Sequence, residues 1–215
     1  MLNLTHALAS FEKSSGPPNA CYVDAAMFQH EKDTLFRDKW TVLGFGKDNS
    51  EQGMVKPITF LGIPMIMARN WDGEINVFQN VCRHRGIILV EKLQRLRVSS
   101  SCPYHAWAYD LNGNLRKTPN IGGPNINTLD SVQHCDFPLI GMRSHVWNDM
   151  VFVNISEVTP AFELYAAELM AWWREFDQTR YHGGANTSLF LRLECNWKFM
   201  FKNCCEAYHL PLIHP

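Results

Sequence analysis

Between positions 82 and 105 the chain offers two arms, each with one cysteine and one histidine: Cys82-Arg83-His84-Arg85-Gly86 and Cys102-Pro103-Tyr104-His105. Thiolate and imidazole both bind metals, and the 17 residues between His84 and Cys102 suffice for a hairpin that folds one arm onto the other. Zinc and iron–sulfur sites draw on the same side chains, so ligand type does not decide between them. A structural zinc site uses short Cys-x-x-Cys knuckles, whereas each arm here carries one Cys and one His. That arrangement suits a two-iron cluster, with both thiolates on one iron and both imidazoles on the other. Gly86 and Pro103 fit tight loops at hairpin tips.

The sequence around the arms has the texture of a small β domain. Short apolar runs follow one another at 40–45, 55–60, 64–69, 74–80, 106–111, 141–146 and 151–155. Asp72-Gly73 and Asn112-Gly113 are strong hairpin turns between such runs. Many short strands with Gly- and Asn-rich turns predict an antiparallel sandwich or barrel. Upstream, a helix is predicted from Asp24, its N-cap, to Trp40, with Phe28, Leu35, Phe36 and Trp40 on one face.

Downstream the period changes. Thr159-Pro160 reads as the cap and first residue of a helix whose apolar face is Phe162, Tyr165, Leu169, Trp172 and Phe176. Residues 187–194 alternate like a strand, and 196–210 read as a second helix that Pro211 stops. On that helix Asn203, Glu206 and His209 stand at i, i+3 and i+6, and His214 follows five residues after His209. Two histidines with a carboxylate are the usual holders of non-haem Fe(II), and zinc takes the same ligands.

Cys82-x-His84 and Cys102-x2-His105 resemble the Rieske [2Fe–2S] motif. Arg85-Gly86, Trp107-x-Tyr109 and Gly113 are similar to the form found in ring-hydroxylating oxygenases. Cytochrome-complex Rieske proteins carry two further cysteines there as a loop disulfide; Ile87 and Tyr104 stand in those places, which implies the lower-potential oxygenase or ferredoxin type. Ala106 departs from the glycine usual in the family. About a hundred residues later, Asn203-x2-Glu206-x-Tyr208-His209-x4-His214 resembles the mononuclear-iron motif of the same oxygenases.

The resemblance implies an α+β chain: an N-terminal helical segment over 1–39, an antiparallel all-β Rieske domain over 40–155, and over 156–215 the incomplete start of an α+β, helix-grip-like catalytic domain. It implies Cys82, His84, Cys102 and His105 as ligands of the [2Fe–2S] cluster, and His209 and His214 as ligands of a mononuclear Fe(II). Asn203 belongs to the implied catalytic set with Glu206, the acidic residue that bridges to a Rieske histidine of a neighbouring subunit; most members have Asp there. Lys202 replaces an acidic residue often found before the Asn. In the family the third iron ligand lies well beyond the second histidine, so the chain reads as the N-terminal portion of a large (alpha) subunit.

The function so implied is that of a terminal oxygenase component. Electrons come from NAD(P)H through a reductase, with or without a ferredoxin. O2 is used to hydroxylate or demethylate an aromatic or a quaternary-ammonium/N-methyl substrate. Glu206 and Pro215 look like members that oxidise quaternary ammonium or N-methyl compounds. At full length the family's assembly is a homotrimer or a trimer of heterodimers. The alternative from another class is a Rieske ferredoxin-like electron carrier, which would have no need of the motif from Asn203 to His214.

Composition excludes other classes. A formal net charge of −1 offers no field for nucleic acid or an anionic membrane. No apolar run reaches the roughly 18–20 residues that cross a bilayer, and the first residues lack a secretory pattern. The seven cysteines are odd in number and irregularly spaced, which favours reduced thiols and metal ligation in the cytoplasm over a disulfide framework.

Overall fold

The computed structural model describes residues 4–10, 12–176, 191–207 and 210–213. They fall into two units: Phe36–His182, and a smaller one made of Met1–Leu35 with Gly183–Pro215.

The smaller unit begins with α1 (Ala20–Val23) and α2 (Ala25–Glu31). Asp24 caps α2 as the sequence predicts, its Oδ1 accepting the N–H of Ala26 at 2.8 Å and of Met27 at 3.4 Å. The single helix predicted up to Trp40 does not form. A π turn, Lys32–Phe36, follows α2, and within it the Thr34 hydroxyl donates to the His30 carbonyl at 2.7 Å. Such a side-chain bond competes with regular helical pairing. Trp40 packs in the larger unit, its indole N–H donating to the Pro160 carbonyl at 3.0 Å.

In the larger unit the strands are β1 (Thr41–Phe45), β2 (Met54–Phe60), β3 (Ile63–Arg69), β4 (Ile75–Gln79), β5 (Gln94–Arg95), β6 (Ser100–Ser101), β7 (Ala108–Tyr109), β8 (Leu115–Lys117), β9 (Arg143–Trp147) and β10 (Met150–Asn154). They form three antiparallel sheets ordered β1-β10-β9, β4-β3-β2-β5 and β6-β7-β8. Asp72-Gly73 turns β3 into β4, and Asn112-Gly113 turns β7 into β8, both as the turn chemistry predicts.

The cores follow from the two-residue period of the strands. On β3, Ile66 and Ala68 enter one core with Cys82, Cys102, Trp107 and Tyr109, while Met65 and Met67 enter a second with Val151 and Val153. On β10, Phe152 points the other way, into a third core with Trp40 and Phe162. Alternation on β3 and β10 thus makes each strand a wall shared by two cores, and each fully buried Met, Val or Phe contributes ~1.5–3 kcal/mol. The cysteines of both arms are part of the first core.

The segment after β10 departs from its pattern. The Thr159 hydroxyl donates to the Asp38 carbonyl, and Ala161 takes the N-cap position of α3 (Phe162–Tyr165). A break at Ala166 separates α3 from α4 (Ala167–Trp172). Only Phe162 of the predicted apolar face is buried; Tyr165, Leu169, Trp172 and Phe176 are exposed.

The smaller unit resumes with α5 (Trp197–Cys205), capped by Asn196, whose Oδ1 accepts the Lys198 N–H at 3.1 Å. Buried Glu31 of α2 receives the Trp197 indole N–H at 2.9 Å and the Lys198 ammonium at 2.5 Å, and so ties α2 to α5. The predicted helix over 196–210 is shorter than its pattern. It stops at Cys205, Glu206 is extended at φ −128°, and a separate turn, α6 (Leu210–Ile213), follows. Neither Gly nor Pro marks the stop at Cys205, so nothing local in the sequence announces it. Pro211 lies inside the first turn of α6, where its missing N–H costs no helical bond. Residues 191–194 are not a strand; the rest of the strand predicted over 187–194 lies outside the described residues.

Candidate functional site

The two arms fold as copies of one backbone design. In the first, the Cys82 N–H donates to the Ile87 carbonyl at 2.8 Å and the Gly86 N–H to the Cys82 carbonyl at 2.9 Å. In the second, the Cys102 N–H donates to the Trp107 carbonyl at 2.8 Å and the Ala106 N–H to the Cys102 carbonyl at 3.0 Å. Each loop closes through a residue in the left-handed region, Gly86 at φ +72° and Ala106 at φ +56°. Glycine adopts that region freely, while alanine does so against its own Cβ.

This design buries the sulfurs and exposes the imidazoles. Cys82 and Cys102 are 2% and 3% exposed, and both are free thiols. His84 and His105 lie at the exposed tips with ring centroids 4.8 Å apart. The His84 ring stacks on Trp107 at 4.8 Å and 11°, and Trp107 is backed edge-on by Phe137 at 5.7 Å. His105 lies against Tyr104 at 3.9 Å. Packing on one face thereby sets the orientation of each imidazole.

The electrostatics act differently on the two kinds of donor. Burial pushes the free Cys82 thiol above its ordinary pKa, and the adjacent Cys102 pushes it further. Loss of solvent, then His105 and Arg85, holds His84 below its ordinary value, so near neutral pH it is an uncharged imidazole with a lone pair to give. A bound metal removes the thiol protons outright.

Tyr109 completes the floor. It is fully buried, and its oxygen accepts the Arg83 N–H at 3.1 Å and lies 3.7 Å from Cys82 Sγ. Against a free thiol either group can donate, whereas against a thiolate only the hydroxyl hydrogen can. Burial, and then the bond with Cys82, raises the phenol well above its ordinary pKa, so it stays a donor. In the sequence Tyr109 is only part of a motif; its contact with Cys82 spans 27 positions and comes from folding.

The residues present fit a two-iron, two-thiolate, two-imidazole cluster. Two sulfurs come together at the buried floor and two rings at the rim. Among the described residues no three His, Cys, Asp or Glu side chains gather as for a single ion. The rest of the predicted site is less complete. Asn203 lies in the last turn of α5 and Glu206 just beyond it, both exposed, so the helical face they were to share ends before Glu206. His209 and His214 lie outside the described residues.

A small antiparallel β domain with this donor set at paired hairpin tips is a Rieske-type domain. Residues 39–133 match the Rieske [2Fe-2S] domain, and residues 169–215 match the catalytic domain of the ring hydroxylating alpha subunit. The chain is 25% identical over 208 residues to the glycine betaine monooxygenase oxygenase subunit of Pseudomonas aeruginosa, covering 97% of this chain and 47% of that relative. It is 27% identical over 198 residues to the carnitine monooxygenase oxygenase subunit of Escherichia coli, covering 92% and 52% respectively. The crystal structure of the quaternary ammonium Rieske monooxygenase CntA with an inhibitor has the same fold, with TM-score 0.75 and 24% identity, covering 94% of this chain and 55% of that one. This chain thus joins a Rieske [2Fe-2S] domain to a segment of the ring hydroxylating alpha subunit catalytic domain. It spans about half the length of the curated relatives it matches.

Proposed function

We propose that this chain is the cluster-bearing portion of a terminal oxygenase, with Cys82, His84, Cys102 and His105 as the four ligands of a [2Fe–2S] cluster. The observation that carries the reading is the pairing of two buried thiols and two exposed imidazoles on loops of one design. When bound, the cluster supplies one-electron transfer. Cys82 and Cys102 would hold it from the buried side, and the Tyr109 hydroxyl, 3.7 Å from Cys82 Sγ, would donate to that thiolate. His84 and His105 are exposed, so that a ring nitrogen not used for iron can donate to a partner group.

In this reading 1–39 is the N-terminal helical segment, 40–155 the Rieske domain and 156–215 the start of the catalytic domain. His209 and His214 hold a mononuclear Fe(II). Asn203 belongs to the same catalytic set, and Glu206 accepts from a Rieske histidine of a neighbouring subunit; its exposure favours that role. Electrons arrive from NAD(P)H through a reductase, with or without a ferredoxin, and the whole oxygenase is a cytoplasmic homotrimer or trimer of heterodimers. The substrate is a quaternary-ammonium or N-methyl compound, oxidised with O2 by hydroxylation or demethylation. Support for that class is the similarity to subunits named for glycine betaine and carnitine.

The test is anaerobic reconstitution of the chain with iron and sulfide. About two iron and two sulfide per chain are expected, with the optical and paramagnetic spectrum of a Rieske cluster. Cys102→Ala should abolish that spectrum. A wild-type chain that takes up zinc and never develops the spectrum would overturn the reading.

A further inference from the structure

Although the two arms share a loop design, their stems differ. The second arm stands on a ladder, β6 paired with β7 through Ser100↔Tyr109 and Ser101↔Ala108. The first arm has one isolated bridge, Val81↔Ile88, and no second rung. In the place that Ser100 occupies, two residues before the cysteine, stands Asn80, which is 3% exposed. Its Nδ2 donates to the Val90 carbonyl at 2.6 Å, and its Oδ1 accepts the N–H of Leu89 at 3.1 Å and of Val90 at 2.9 Å. Its own backbone N–H donates to the Pro64 carbonyl at 2.9 Å, which anchors it next to β3.

We infer that Asn80 is a positioning residue for the Cys82–His84 arm, its side-chain amide replacing the strand pairing that this arm lacks. Leu89 and Val90 are buried in the same core as Cys82, so their backbone groups have no water to turn to. A carboxamide offers its donor and its acceptor on two separate atoms, whereas a hydroxyl must present both from one oxygen. Aspartate would keep an acceptor for the two N–H groups but set a second oxygen against the Val90 carbonyl. Leucine or alanine would leave all three groups orphaned. The second arm needs no such residue, because main-chain pairing does the same work. No sequence motif marks Asn80; its partners are known only once residues 89 and 90 fold back beside it.

The inference rests on the cluster reading, and its experiment separates the two. The reconstituted wild-type chain is compared with Asn80→Ala, Asn80→Asp and, as a control, Asn76→Ala, whose side chain makes only long bonds of 3.3–3.4 Å near Leu111 and Asn112. Three quantities are read: the rate of cluster loss to a chelator, the g values with midpoint potential of the reduced cluster, and hydrogen exchange at the Leu89 and Val90 amides. N80A should lose its cluster roughly tenfold faster, with shifted g values, and its Leu89 and Val90 amides should exchange roughly tenfold faster. N80D should fall between N80A and wild type, and N76A should match wild type. Wild-type lifetime, spectrum and exchange in N80D and N80A would overturn the inference. If N80A does not yield soluble protein, N80D carries the comparison by itself. If the wild type takes up no cluster, the cluster reading fails, and amide exchange in the metal-free chain still decides whether Asn80 holds the arm.

Discussion

The Tyr109 hydroxyl accepts the Arg83 N–H at 3.1 Å and lies 3.7 Å from Cys82 Sγ, to which it donates once that sulfur is a thiolate. One buried phenol therefore touches both the backbone and the ligand atom of the first arm. A donor to a ligating sulfur favours the state with more negative charge, which is the reduced cluster. Tyr109→Phe keeps the ring in the core and deletes both contacts of the hydroxyl, the one with Cys82 Sγ and the one from the Arg83 N–H. The midpoint potential should fall by roughly 40 mV, as expected for ~1 kcal/mol of lost preference. A redox titration followed by the paramagnetic signal measures it, and an unchanged potential would remove Tyr109 from the tuning of the cluster.

Ala106 and Gly86 hold the same left-handed position in the two arms, so exchanging their residues should have opposite effects. Ala106→Gly relieves a strained φ of +56° and should stabilise the larger unit by about 0.5–1 kcal/mol. Gly86→Ala should destabilise it by about 1 kcal/mol from backbone strain alone, because a Cβ there meets no atom within 4 Å. Thermal melts of the metal-free chain measure both. Changes of the same sign would mean that the two loops are not equivalent.

Asp110 organises the β7–β8 turn. Its carboxylate accepts the N–H groups of Asn112 and Asn114 at 2.9 Å, the Asn114 amide, and Arg116 Nε at 2.7 Å. Burial alone would raise its pKa, but the bonds from Asn114, Arg116 and Asn112 outweigh it and hold the group below its ordinary value. A depressed pKa contributes stability that is fully present above the unfolded pKa, about 4, and is lost as pH falls through the lower folded value. Wild type should thus lose melting temperature below about pH 4 more steeply than Asp110→Asn. Parallel acid melting curves for the two proteins would refute the assignment.

Glu31 holds Trp197 and Lys198 in the smaller unit with little solvent to screen the pair. Removing one partner of a buried ion pair strands the other charge. Glu31→Ala should destabilise the link between α2 and α5 by about 3 kcal/mol, and Lys198→Ala in the same chain should recover part of that. Amide exchange across α5 is the readout. Additive losses in the double variant would show that the two side chains do not act as a pair.

Much of the architecture was legible in the residue order, where local chemistry decides it. Asp72-Gly73 and Asn112-Gly113 admit few backbones other than hairpin turns, and Asp24 caps α2 by an accepting oxygen that needs no distant partner. Local patterns misled where distant groups compete. Thr159 has the chemistry of an N-cap, yet its hydroxyl goes to Asp38, 121 positions away, and the helix starts later. The α5 pattern runs on past Cys205 because apolar and polar residues alternate at helical spacing on both sides of a stop that no Gly or Pro signals.

For the site itself, the sequence alone supplied the candidate donors: two Cys and two His in two arms, an arrangement that suits a two-iron cluster. Tertiary structure decided everything that depends on approach across the chain. It placed the sulfurs in the core and the rings at the surface, put the Tyr109 hydroxyl at Cys82, and set Asn80 as the rung beneath the first arm. The physical reason is that ligand identity is written residue by residue. Burial, ring stacking and hydrogen bonding belong to pairs such as Cys82 and Tyr109 that become neighbours only when the sheets β4-β3-β2-β5 and β6-β7-β8 close around a shared core.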